Sequence, residues 1–211
     1  MKINVVENVL KENDRIAKEN RALLDRARIV ALNITSAPGS GKTTLLEKTL
    51  VALGRDCRVA VLVGDLQTTR DAERLAVGAA EVTQINTGRG CHLTAAQVAD
   101  GLKSLKLEDI RYLFIENVGN MVCPAGFDLG EHRRVAMLST PEGDDKVAKY
   151  PTLFQAADLI ILNKTDLIGT LDYDTGRVID DLSKINTRAP LLQLSAKTGE
   201  NMDLWLDWLR R

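Results

Sequence analysis

Cysteine is scarce in this sequence. Cys57, Cys91 and Cys123 are the only three, too few and too scattered to form a disulfide framework. Long apolar runs are missing as well: no uninterrupted stretch approaches the roughly 18–20 residues that a bilayer-spanning helix needs. The N-terminal residues Met1-Lys2-Ile3-Asn4-Val5-Val6-Glu7 carry no apolar core of the signal-peptide kind. Together these absences predict a cytoplasmic protein without a membrane partner. Neither sign of charge dominates: 28 Lys and Arg against 29 Asp and Glu leave a net charge of −1, with no long basic tract. Nucleic acid is therefore not expected as a partner. Repeats, low-complexity segments and dividing linkers are also lacking. The 211 residues suffice for one full α/β domain with a substantial core.

What is present alternates. Apolar runs of strand length recur at 29–34, 58–64, 82–86, 112–118, 134–139, 159–162 and 191–194, with helical spacings between most of them. This pattern predicts a mostly parallel sheet of about seven strands, covered by helices on both faces. Helices are expected at 71–77, from Thr94 as cap through Leu105, at 172–185, and from Asn201 to the end, with Trp205 and Trp208 as core anchors. Residues 1–27 read as a charged helical extension to a domain covering 28–211. A stripe of Val6, Leu10, Ala17, Leu24 and Ala27, interrupted by Asn13 and Asn20, suits a helix packed on the domain edge better than a coiled-coil arm. Cys57, at the start of a strand, reads as a small core residue.

The stretch Ser36-Ala37-Pro38-Gly39-Ser40-Gly41-Lys42-Thr43 organises the rest. It joins the first strand to a helix beginning Thr44-Leu45-Leu46, the arrangement that grips a nucleotide triphosphate. Glycines let backbone N–H groups turn inward around phosphate oxygens. Lys42 is placed to reach the β- and γ-phosphates, and the Thr43 hydroxyl to ligate Mg²⁺. Ser36 stands where the general pattern has glycine. Asn163-Lys164-Thr165-Asp166 ends a later strand and matches the pattern that reads guanine. A carboxylate at Asp166 accepts from both guanine donors, N1–H and N2–H₂; adenine leaves it unpaired. Ser195-Ala196-Lys197 matches the companion loop whose backbone meets guanine O6. GTP rather than ATP is expected.

Glu116-Asn117-Val118-Gly119 occupies the position facing the γ-phosphate, with glutamate where aspartate is usual. Gly119 would turn its amide onto the γ-phosphate, and Glu116 would polarise a Mg²⁺-bound water. Asp65, ending the neighbouring strand, is the second carboxylate candidate for Mg²⁺ or the attacking water, or else a capping or turn residue. With no water-orienting glutamine identifiable, slow hydrolysis is expected. Cys91-His92 and Cys123 each follow a strand, so all three sit on the ligand-binding edge of a doubly wound sheet. Two thiolates and an imidazole suit Zn²⁺ or Ni²⁺. The competing use of Cys91 and His92, a cysteine nucleophile with its base, lacks an orienting third group.

With these motifs assembled, the sequence resembles the HypB family, GTPases that assist nickel insertion into [NiFe] hydrogenase. The resemblance runs from about Ile29 to the C-terminus. It implies a P-loop NTPase fold of the SIMIBI class, GTP-dependent homodimerisation, and a metal site at the subunit interface with Cys91, His92 and Cys123 as ligands. It also implies a HypA-like nickel chaperone and the hydrogenase large subunit as partners, with residues 1–27 as a possible docking arm. The N-terminal Cys-x-x-Cys-Gly-Cys motif and the histidine-rich tract of some members are absent, so nickel storage is not expected. The urease accessory GTPases are the nearest rival; they have Cys-Pro-His where this sequence has Cys91-His92, and no cysteine at position 123. A regulatory GTPase switch with a purely structural zinc is the alternative from another class.

Overall fold

In the computed structural model, residues 5–54, 56–65 and 69–211 are described, for residues 5–9 as backbone only. Gln67 and Thr68, of the polar loop expected after the second strand, and the side chain of Val6 lie outside these residues. Seven strands form one sheet: β1 (Val30–Ser36), β2 (Arg58–Asp65), β3 (Glu81–Asn86), β4 (Ile110–Glu116), β5 (Arg133–Ser139), β6 (Leu159–Asn163) and β7 (Leu191–Gln193). Their order is β3-β2-β4-β1-β5-β6-β7, with every pairing parallel. The expected parallel architecture is thus present throughout. β1, β2, β4 and β6 are buried almost along their whole length, as apolar runs covered on both faces must be.

The helices follow from local signals. α1 (Val5–Ala27) precedes the sheet, and α2 (Lys42–Leu53) opens directly from the glycine-rich turn. α3 (Arg70–Leu75) is shorter than its spacing suggests, while α4 (Ala95–Ser104) begins at Thr94 with a full capping box closed by Gln97. Two short helices, α5 (Lys146–Lys149) and α6 (Pro151–Gln155), lead into β6. α7 (Thr175–Ile185) starts later than residue 172, because the Asp174 carboxylate accepts from the Arg177 N–H and fixes the start. α8 (Met202–Arg210) closes the chain. None of the helices among the described residues is long and apolar enough to cross a membrane.

One core joins α2 and α8 to the sheet through Leu32, Leu46, Phe114, Leu194 and Trp205. Trp205 is fully buried and donates to Thr49 Oγ1 at 2.8 Å, so its one polar atom is satisfied. Trp208, expected as a second anchor, is only half-buried. It stacks on Trp205 and carries the Arg133 guanidinium over its outer face at 4.9 Å. On the opposite sheet face, Leu24 of α1 packs with Ala31, Leu62, Leu102 and Leu113. Leu10, by contrast, is exposed, whereas Asn13 and Asn20 are buried. The two asparagines expected as interruptions of the stripe belong to its buried face.

Candidate nucleotide and metal site

The edge that carries function is set by topology. β1 lies between β4 and β5, so the loops leaving its C-terminal end and that of β4 frame a crevice. A cavity of about 450 Å³ occupies it, with Gly39, Lys42, Thr43, Asp65, Glu116 and Gly119 among its lining. Gly39 and Gly41 both have positive φ, 76° and 100°. At Gly41 a Cβ would fall 2.6 Å from Asn163 Nδ2, so any other residue there displaces the Asn163 side-chain amide.

Lys42 is buried and donates to Ser36 Oγ at 2.9 Å. The residue at the pattern's first-glycine position therefore accepts from the lysine. Burial pulls the Lys42 ammonium below its ordinary range, against the attraction of Glu116, Asp71 and Glu142. A phosphate would restore what burial removes. Thr43 Oγ1 donates to Glu116 Oε1 at 2.7 Å, while Glu116 Oε2 is buried without a partner. Burial raises the Glu116 carboxyl to about 7, outweighing the pull of Lys42 and the Thr43 hydrogen bond. A buried orphan carboxylate oxygen beside a threonine hydroxyl is what a hard cation such as Mg²⁺ satisfies. Asp65 lines the same cavity, with its backbone carbonyl taking the Thr87 N–H at 2.9 Å. Thr44, next along α2, receives a bond from Arg74.

Two side chains of the Asn163–Asp166 loop meet the glycine-rich turn. Asn163 donates to the Ser40 carbonyl at 2.7 Å and accepts from the Ala196 N–H at 3.0 Å. Lys164, at φ 62°, extends its ammonium to the Gly39 carbonyl, 2.6 Å away. Asp166 is exposed and accepts from Ser195 Oγ at 2.6 Å; Lys197 is exposed as well. Ser40, Asn163 and Ala196 thus form one bonded set. Glu142, read in sequence only as part of an acidic loop, belongs to this set too. Its Oε1 accepts from the hydroxyls of Ser40 and Ser139, each at 2.6 Å.

The second cluster lies one loop away. Ligand atoms of Cys91, His92 and Cys123 are all within 4.8 Å of one another, so the three candidates from separate loops do converge. The Cys91 thiol is held above its ordinary range, chiefly by the neighbouring Cys123 thiol and then by burial, and burial holds the His92 imidazole low. The Cys91 thiol gives up its proton when a cation takes the proton's place. His92 leans on the Phe127 ring, centroids 4.1 Å apart, and its Nε2 is buried without a partner. Cys57 is half-buried against the main core, away from this set.

Two asparagines tie the clusters together. Asn117 Oδ1 accepts from the N–H of Leu93 at 3.1 Å and of Val118 at 3.0 Å. Asn120 donates to the Cys91 carbonyl at 3.3 Å and accepts from the Val122 N–H at 2.8 Å. The backbone on both sides of Cys91-His92 is therefore fastened to the loop that begins at Glu116. Gly119 of that loop sits against the phosphate turn, where a Cβ would lie 2.9 Å from Pro38 Cα. In sequence Asn117 lies inside the Glu116–Gly119 motif and Asn120 follows it, and neither had a role assigned. An amide in a loop between two candidate sites was the available signal.

The model for the CobW/HypB/UreG nucleotide-binding domain matches residues 30–193. The hydrogenase maturation factor HypB of Azotobacter chroococcum mcd 1 is 48% identical over 209 residues, covering 99% of this chain and 68% of the relative. A crystal structure of HypB from Helicobacter pylori in complex with nickel superposes with a TM-score of 0.90 at 39% identity, covering 94% of each chain. HypB from Archaeoglobus fulgidus gives 0.89 at 42% identity, covering 95% of this chain and 98% of that one. The family model over residues 30–193 and these relatives over nearly the whole length show that the chain belongs to the HypB family of hydrogenase maturation factors.

Proposed function

We propose that this chain is a GTP-hydrolysing nickel metallochaperone for [NiFe] hydrogenase maturation, acting in the cytoplasm, with 28–211 as its G domain and 1–27 as a helical extension. The observation that carries the reading is the convergence of Cys91, His92 and Cys123 within 4.8 Å on loops fastened to the γ-phosphate loop. The nickel-bound relative from Helicobacter pylori supports nickel as the cargo; Zn²⁺ suits the same ligands and competes for them.

GTP enters with its base between Asn163-Lys164-Thr165-Asp166 and Ser195-Ala196-Lys197, and Asp166 accepts from the guanine edge. Lys42 exchanges Ser36 for β- and γ-phosphate oxygens, and backbone amides of Gly39, Ser40, Gly41 and Thr44 cradle the phosphates. Thr43, Glu116 and Asp65 would hold Mg²⁺, which would supply charge neutralisation for the phosphates. Glu116 orients the attacking water, and Gly119 follows the γ-phosphate. Because that loop also carries Cys123 and the asparagine ties to Cys91-His92, loss of the γ-phosphate changes the geometry of the nickel ligands. GTP-bound subunits pair as a homodimer. Nickel arrives from a HypA-like chaperone and leaves toward the hydrogenase large subunit.

Cys123→Ala tests the assignment. The variant should bind GDP and Mg²⁺ as the parent does and lose stoichiometric Ni²⁺ binding. A folded variant that retains parental Ni²⁺ affinity would remove Cys123 from the site, and broad loss of folding would favour a structural zinc instead.

A further inference from the structure

The two loops that bear the sulfur ligands are joined at their far ends by a helix that contributes no ligand. Asn13 of α1 accepts from the Ala95 N–H at 2.9 Å and donates to the Asp128 carbonyl at 2.8 Å. One helical turn pair later, Asn20 donates to the Ala95 carbonyl at 2.9 Å and to the Leu129 carbonyl at 3.0 Å. Ala95 is the first residue of α4, four positions after Cys91, and Asp128 and Leu129 follow Cys123 by five and six. Each amide therefore spans both ligand-bearing segments.

These bonds are not what docking a helix requires. Ala17 and Leu24, on the same face, are already fully buried and supply the apolar contact. A buried amide costs free energy unless its donors and acceptor find partners, and leucine at either position would avoid that cost. Here the two amides make four bonds off the helix, all to backbone next to the two sulfur loops; Arg21 adds a bond to the Gly130 carbonyl at 2.9 Å, and Asp25 pairs with His132. Asn13 also occupies an orphan N–H at the start of α4, so its acceptor end is fixed by the capping of that helix.

We infer that Asn13 and Asn20 are positioning residues for the metal cluster: α1 is a brace that sets the separation between the Cys91-His92 loop and the Cys123 loop. The inference rests on reading those three residues as a metal site. Its physical content, that the brace sets the distance between the two thiols, needs no metal.

Asn13→Asp is the informative variant, because it keeps the acceptor for the Ala95 N–H at a helix N-terminus and opposes the Asp128 carbonyl with a carboxylate. Asn20→Ala cuts the second span. Two readouts apply to the full-length chain. Titration with Ni²⁺ alone should show roughly tenfold weaker binding in each variant, the scale expected when a buried hydrogen-bonded span is lost, with GDP affinity held within about twofold. Equilibration with glutathione disulfide, in a Cys57→Ser background, gives the effective concentration of the Cys91–Cys123 thiol pair, which should fall by a similar factor. Unchanged Ni²⁺ affinity and thiol pairing, with only a lower unfolding midpoint, would reduce α1 to an ordinary packed helix and overturn the inference. Should Asn13→Asp fail to fold, Asn13→Ser carries the same readouts. If the parent chain itself takes up no Ni²⁺, the metal reading fails, and the thiol measurement still decides whether the brace exists.

Discussion

The tightest steric demand at the nucleotide site falls on Gly41, and its replacement by alanine has a calculable cost. Two effects add. An L-residue in the left-handed region is strained by about 1–2 kcal/mol, and Gly41 sits at φ 100°. The new Cβ also falls 2.6 Å from Asn163 Nδ2, which must move and release the Ser40 carbonyl it holds at 2.7 Å. Leaving such a buried carbonyl unpaired costs about 1–3 kcal/mol. Gly39 is the internal control: it has positive φ as well, 76°, but a Cβ there meets nothing within 4 Å. In urea unfolding without nucleotide, Gly39→Ala should lose about 1–2 kcal/mol and Gly41→Ala about 2–5 kcal/mol. Combining Gly41→Ala with Asn163→Ala removes the clash, so the double variant should be more stable than the sum of the singles by about 1 kcal/mol or more. Equal losses at the two glycines, or strict additivity in the double variant, would refute the reasoning.

The raised carboxyl of Glu116 makes apo stability depend on pH. With its usual 4.5 lifted to about 7 in the fold, the folded state keeps a proton the unfolded chain releases. That stability is complete below pH 4.5 and is lost as pH rises through 7, about 3 kcal/mol in all at 1.36 kcal/mol per unit. Glu116→Gln should therefore gain on the parent by about this amount between pH 4.5 and 8 in denaturant unfolding without divalent cations; a constant difference across that range would contradict it. Trp205→Ala, at a fully buried site, should cost about 3–5 kcal/mol, and a loss below about 1 kcal/mol would mean the α8 contact is not core. Sizing at micromolar protein should give a larger species with a non-hydrolysable GTP analogue than with GDP, and identical elution would count against nucleotide-driven pairing.

The Ser36–Thr43 turn and the loops at Asn163–Asp166 and Ser195–Lys197 stand out in sequence because each is a local pattern pinned to the end of an apolar run, and the structure joins them through Asn163. Cys91, His92 and Cys123 were legible by topology, since loops after parallel strands share one edge. Other features needed the third dimension. Asn13 and Asn20 broke an apolar stripe, and only the carbonyls and N–H groups they meet, 75 to 115 positions away, make them interior residues. Glu142 looked like one acid among several until Ser40 and Ser139 were placed around it. α5 and α6, of four and five residues, are too short to display a helical period. Trp208 follows Trp205 at helical spacing, yet its outer face is left to Arg133 rather than to the core.

The central claim is that the nickel ligands feel the γ-phosphate, because Asn117, Asn120 and Cys123 all belong to the loop that starts at Glu116. A ligand shifts a conformational equilibrium only through its differential affinity for the two states. The direct measurement is a Ni²⁺ titration, with Zn²⁺ as competitor, of the chain loaded with Mg²⁺-GDP and again with a Mg²⁺-bound non-hydrolysable GTP analogue. A fivefold or larger difference in Ni²⁺ affinity, on the order of 1 kcal/mol of coupling, is predicted. The same affinity in both nucleotide states would contradict the account.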